Sequence, residues 1–192
     1  MTELIDSKRP LRADARRNRE RILVAARELF AREESDVQID DVARRAGVGV
    51  GTVYRHFPDK EALMGELVRE RFGVFNERLR TALEERDAEP FDALTGAIRD
   101  NAASVAEDAA TRFAFMSGGE RVFAHASAER EEFMVLADEL VERAHAAGQL
   151  RPEFIAQDIP MVMCGVCAAI DKRAAGWDWR RHLELIIHGM RA

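Results

Sequence analysis

Residues 47–60 read GVGVGTVYRHFPDK, and the interpretation of the three alternating glycines decides the fold. Gly47, Gly49 and Gly51 invite comparison with a loop that cradles a nucleotide phosphate. A dinucleotide loop follows a strand and is spaced G-x-G-x-x-G, and a P-loop closes on Gly-Lys-Ser/Thr. Here the spacing is G-x-G-x-G and no such ending follows. The preceding QIDDVARRAG places Ile39, Val42, Ala43 and Ala46 on one side of a helix. Asp40 and Asp41 sit in its first turn, where the helix dipole favours acids. Gly47 then ends it as a residue able to take positive φ. Val48 is a lone apolar residue set to plug a gap between helices. Gly49 is an N-cap without a side-chain acceptor, VGTVYRH gives about two helical turns, and Pro58 biases Phe57 out of the helical region. The stretch therefore reads as helix, tight turn, helix over 38–57. So short a second helix cannot hold itself in water; it needs Val53 and Phe57 packed against Ile22, Ala26, Phe30 and Val42.

Upstream, ARRNRERILVAARELFARE carries Ile22, Ala25, Ala26, Leu29 and Phe30 at one helical face, with Asp14 a candidate N-cap. Downstream, Asp59 is a good N-cap for a helix of about 26 residues, or roughly 40 Å, running from Lys60 until DAEP breaks it. That length suits a strut between two domains. Further helices are expected near 91–107, 110–116, 128–147 (stopped by Gly148), 156–174 and 179–191. The segment 156–174 is apolar nearly all round and so should be buried all round. The fold class is all-α.

The chain of 192 residues is 47% hydrophobic and 33% charged, with net charge −6. That balance alone argues against nucleic acid, but its distribution does not. Residues 1–60 hold 13 basic against 11 acidic side chains; residues 61–192 hold 16 against 24. Lys8, Arg9, Arg12, Arg16, Arg17, Arg19 and Arg21 fall within fourteen positions. A basic head on an acidic body suggests two jobs in one chain. The longest apolar run, IPMVMCGVCAAI, has 12 residues, short of the roughly 20 of a membrane span. The polar N-terminus lacks a signal-peptide core, so a cytoplasmic location without membrane attachment is expected.

The second helix of a helix-turn-helix lies in a major groove with its first turn at the bases. Gly51 lets the backbone come close, and Thr52 offers a hydroxyl and a methyl. Tyr54 and His56 suit phosphate oxygens, and Arg55 alone can pair bidentately with guanine. Lys60, at the start of the next helix, adds charge to free N–H groups. Each also has a plain reading: Tyr54 as a core aromatic, His56 and Arg55 as solvated side chains, Lys60 as a surface charge. The joint pattern favours DNA.

Residues 15–75 resemble the DNA-binding domain of the tetracycline-repressor (TetR) family of bacterial transcription regulators. The likeness is carried by IDDVARRAGVGVGTVYRHFPDKEAL after the helix RILVAARELF. It implies a three-helix helix-turn-helix domain, joined by the long helix to a C-terminal ligand-binding and dimerisation bundle over 76–192. It further implies a symmetric homodimer on a palindromic operator, most simply a repressor released by a small, largely apolar effector. By residue matching, Gly51, Thr52, Tyr54, His56 and Lys60 fall where the family touches DNA. Two departures stand out: Gly49 replaces a common Ser or Thr, and Val50, often polar in relatives, is placed to read a thymine methyl. A third is the turn near Glu34, where the family usually has glycine.

The last two helices resemble the pair that meets its twofold mate in many members. Gly165 and Ala168 permit close approach, and Val162, Val166, Ile170, Leu183, Ile186, Ile187 and Met190 are the candidate interface. Candidate cavity walls are Phe113, Phe115, Met116, Phe123, Met134, Met161 and Met163, methionine being adaptable to varied apolar ligands; core filling is the plain alternative. Cys164 and Cys167 lack the further ligands a metal needs. No metal and no cofactor are expected, and no paired base and nucleophile supports an enzyme. Double-stranded DNA, a small-molecule effector and a second copy of the chain are the expected partners.

Overall fold

The computed structural model describes residues 8–32, 36–85, 87–171 and 176–192, with side chains from residue 13 onward. The described residues form ten helices and one isolated antiparallel bridge, Leu150 to Arg191. The glycine-rich stretch resolves as expected. Helix α2 (Ile39–Ala46) buries Ile39, Val42, Ala43 and Ala46. Its start is fixed by the Gln38 N–H donating to the Asp41 carboxylate at 3.0 Å, which with Arg44 holds that carboxyl below its usual range. Gly47 takes φ 64° and ψ 38°, and the Val48 N–H reaches back to the Ala43 carbonyl at 3.1 Å. This is the glycine-terminated helix end in which a left-handed residue turns the chain and pairs the last carbonyls. Helix α3 (Val50–His56) starts at Gly49 without a side-chain cap and buries Val53 completely.

Helix α1 (Lys8–Phe30) supplies the floor for this pair, with Ile22, Ala26 and Phe30 fully buried. Asp14 is not its N-cap. The helix begins earlier, with Pro10 in the first turn where no N–H is needed, and Asp14 instead accepts from Arg17 three residues on. The turn near Glu34 lies outside the described residues. Arg19 and Arg21, grouped by sequence with the basic run, are tied inward. Arg21 donates to the Gly47 carbonyl at 3.0 Å. Arg19 pairs with Glu66 at 2.6 Å and stands over the Phe57 ring, 5.3 Å from its centroid. The side chains of Lys8, Arg9 and Arg12 lie outside the described residues.

Helix α4 (Lys60–Glu84) is the expected strut, capped by Asp59 accepting from the Ala62 N–H at 2.7 Å. Against it pack α5 (Pro90–Glu107), α6 (Ala109–Ser117), α7 (Glu120–Ala124) and α8 (Ser127–Ala146); α9 (Asp158–Asp171) packs on α5 and α6, and α10 (Trp179–Met190) on α9. The five-residue α7 is not anticipated by periodicity, because one turn between Gly118–Gly119 and Ala126 carries no repeat to read. It is held by contact: a Cβ on Gly65 of α4 would come within 2.5 Å of the His125 Cβ and 2.9 Å of the Val122 carbonyl. Only glycine lets α4 and α7 meet so closely. The apolar core is continuous, running from α1 through α4 into the C-terminal helices.

Helix α9 departs from expectation. It starts at Asp158, whose carboxylate accepts from the Ile155 N–H, and its continuation past Asp171 lies outside the described residues. Nor is it buried all round: Ile159, Val166, Cys167, Ala169 and Ile170 face inward, while Met161 is 65% exposed and Cys164 is exposed. Backbone bonds from Arg151 to Met190 and from Ala192 to Gln149 fasten the end of α10 to the α8–α9 connection.

Candidate nucleic-acid interface and effector cavity

The surface of α3 opposite Val53 is built from side chains that the core does not use. Val50 is 37% exposed and Tyr54 50% exposed; Gly51 and Arg55 are exposed, and Thr52 and His56 are half-buried. Tyr54 is therefore no core aromatic. Gly51 has empty space where a Cβ would stand, with no heavy atom within 4 Å, so nothing in the chain itself requires glycine there. Lys60 is half-buried at the first position of α4, with its ammonium 5.8 Å from the Phe30 ring centroid. Its neighbour Asp59 is held from the other side by Arg121 of α7 at 2.8 Å.

In the C-terminal helices, residues of α4 to α9 line a cavity of about 340 Å³, at the small end of ligand pockets. Five phenylalanines dominate its wall. Phe72 stands edge-on to Phe115 and Phe133 at 5.7 and 5.6 Å between centroids, and Phe115 lies 5.8 Å from Phe123; Phe75 completes the set. Of the sequence candidates, Phe115, Met116, Phe123, Met134 and Met163 come together here. Phe113 does not. Two residues from Phe115, it points to the other side of α6 and stacks on Phe30 at 5.8 Å. Met161 faces outward instead of lining the cavity. Phe72 and Phe75 escape a sequence reading that takes α4 as the strut and seeks the cavity beyond residue 91, and Phe133, within that stretch, is not among the candidates. Their apolar spacing on α4 and α8 was visible, but spacing does not say which neighbour a face meets. Cys164 and Cys167 also reach the wall. Burial, and then the nearby Cys164, pushes the Cys167 thiol up to about 12. Among the described residues no three His, Cys, Asp or Glu side chains cluster as metal ligands, and no helix is long and apolar enough to cross a membrane.

Helix α6 lines the cavity on one side and packs against α1, the floor on which α3 sits, on the other. Its cap Asp108 accepts from the Thr111 N–H at 3.0 Å, takes Arg71 of α4, and pairs with Arg27 of α1 at 3.2 Å. Burial works to raise the Asp108 carboxyl, but the Thr111 and Arg71 hydrogen bonds outweigh it and hold it below the usual range.

Of the candidate interface residues, Val166, Ile170, Leu183, Ile187 and Met190 are buried within one chain, while Val162 and Ile186 are half-buried. The outer face of α9 and α10 instead shows Met161 and Leu185, 65% and 63% exposed. Gly165 also lies there, close beneath His182.

Residues 22–67 match the family model described as bacterial regulatory proteins, tetR family, and residues 89–192 match the transcriptional regulator SbtR-like C-terminal domain. A crystal structure of a TetR transcription regulatory protein from Mycobacterium vanbaalenii is 34% identical, covering 95% of this chain and 100% of that one, with a TM-score of 0.59. An HTH-type transcriptional regulator of Staphylococcus aureus (strain USA300) is 36% identical over 66 residues; that match spans 34% of this chain and 36% of the relative's own length. The FadR regulator of Bacillus subtilis, solved with stearoyl-CoA, shares the fold at a TM-score of 0.70 over 88% of this chain and 95% of that one, with 19% identity.

Proposed function

The chain belongs to the TetR family of bacterial transcriptional regulators, and from that premise we propose that it is a homodimeric repressor of a palindromic operator, released when a small, largely apolar molecule enters the cavity. Val50, Gly51, Thr52 and Arg55 meet the major groove, with Tyr54, His56 and Lys60 on the phosphates. The dimer forms through the outer face of α9 and α10, around Met161, Gly165 and Leu185, with Val162 and Ile186 at its base. Two recognition helices then sit about 34 Å apart, or a multiple of it, to meet successive grooves.

One observation carries the switching part of this reading: α6 lines the cavity with Phe115 and Met116 while its opposite side presses Phe113 on Phe30 and links Asp108 to Arg27. A ligand that displaces α6 disturbs the seat of α1, and with it the angle of α3. The ligand acts by binding one packing better than the other, so its effect on DNA affinity equals that difference. The test is a shift assay on DNA from beside the protein's own coding region, searched for an inverted repeat. Tyr54→Ala and Lys60→Ala should weaken binding, and affinity should fall steeply with salt as phosphate contacts are lost. A monomeric protein indifferent to that DNA at low salt overturns the reading.

A further inference from the structure

The cavity's wall is apolar except at one place. Arg130 of α8 and Gln157, just ahead of α9, are its two polar side chains with hydrogen-bonding heads, and Arg130 is the single charged residue among those lining it. Both are exposed, which puts them at the mouth of the cavity. Arg130 stands over the Phe123 ring, 6.0 Å from its centroid, so its guanidinium is directed along the cavity wall. Among the described residues it pairs with no carboxylate, although most of the described arginines do. Glu129 is bound by Arg69 at 3.0 Å, and the Asp158 carboxylate accepts from the Ile155 N–H at 2.9 Å. No Asp or Glu lines the cavity. The site thus offers an aromatic interior for an apolar body and, at its opening, an unpaired guanidinium beside an amide.

We infer that the effector is an amphipathic anion, an apolar body carrying a carboxylate or similar oxyanion that Arg130 holds at the cavity mouth with Gln157 beside it. Guanidinium matches a planar oxyanion with two parallel N–H donors. A cationic ligand would meet a like charge and find no acid among the lining residues to receive it. A neutral ligand of the same shape would gain the apolar burial alone. The inference rests on the cavity being the effector site, as proposed above.

The test uses the full chain and three probes of one shape: 4-phenylbutyrate, 4-phenylbutan-1-ol and 4-phenylbutylamine, measured by calorimetry at low and high salt. The carboxylate should bind about five- to tenfold more tightly than the alcohol, a preference that shrinks with salt because the mouth is exposed. The amine should bind most weakly. Arg130→Gln should erase the preference by weakening the carboxylate far more than the alcohol, and Arg130→Lys should keep most of it. Met134→Trp, which fills the cavity, should abolish binding of all three. Equal affinity for carboxylate and alcohol, or a preference that survives Arg130→Gln, overturns the inference; loss of binding in Met134→Trp would then leave the cavity standing as the effector site. Binding that persists in Met134→Trp, or no binding of any probe to the unaltered protein, overturns both.

Discussion

Two glycines four residues apart in the recognition motif do different work. Gly47 holds φ 64°, and a Cβ on it would stand 2.8 Å from the Arg21 guanidinium. The chain itself needs that glycine, and Gly47→Ala should cost about 1 kcal/mol or more. Gly51 has open space around it and sits inside α3, where alanine is the better helix former by about 1 kcal/mol. Gly51→Ala should therefore leave urea stability unchanged or raised, yet weaken operator binding about tenfold if the α3 backbone lies against the bases. Raised stability with undiminished binding would remove Gly51 from the interface. The cysteines divide in the same residue-by-residue manner. Cys164 is exposed, whereas burial lifts the Cys167 thiol to about 12, and the thiolate is the reactive form. A maleimide at pH 8 should consume one thiol per native chain, at Cys164, and two in urea. Rapid native labelling of Cys167 would contradict its placement.

At the scale of the element, α6 is nine residues long and its capping residue binds three helices together. Asp108 closes the first turn of α6 while Arg27 and Arg71 bring α1 and α4 to it. Its carboxyl is held below the ordinary range, so the folded state prefers it ionised. That stabilisation is complete above the unfolded value of about 4 and is lost as pH falls through the folded one. Glu66, whose carboxyl is drawn down by Arg69 and Arg19 against the opposing effect of burial, acts in the same direction. Urea midpoints should therefore fall as pH drops from about 5 to 3. Asp108→Asn should flatten part of that slope and cost about 1–3 kcal/mol at neutral pH through the weakened cap and the stranded arginines. An unchanged slope in the variant would mean that Asp108 is not protonated on unfolding in that range.

At the scale of the whole molecule, the proposed dimer rests on the outer face of α9 and α10. Leu185 is 63% exposed and Leu183, two residues away, only 2%. Leu185→Arg should leave the chain folded but monomeric in sedimentation and unable to hold an operator; Leu183→Arg should unfold it. A dimeric Leu185→Arg protein would move the interface elsewhere. The amino-acid order by itself determined the helical class, the long strut and the helix-turn-helix, because each rests on short-range chemistry: a 3.6-residue apolar period, a left-handed glycine at 47, an aspartate cap at 59. It also carried the family, through a motif compact enough to read in a line. Which apolar residues are spent inward was decided only by the tertiary structure. Phe113 and Phe115 are chemically alike and two positions apart, yet one stacks on Phe30 and the other walls the cavity. Met161 and Met163 part in the same way. A helix presents every side to something, and the identity of that neighbour is a property of the packed molecule, since it depends on segments distant in the chain.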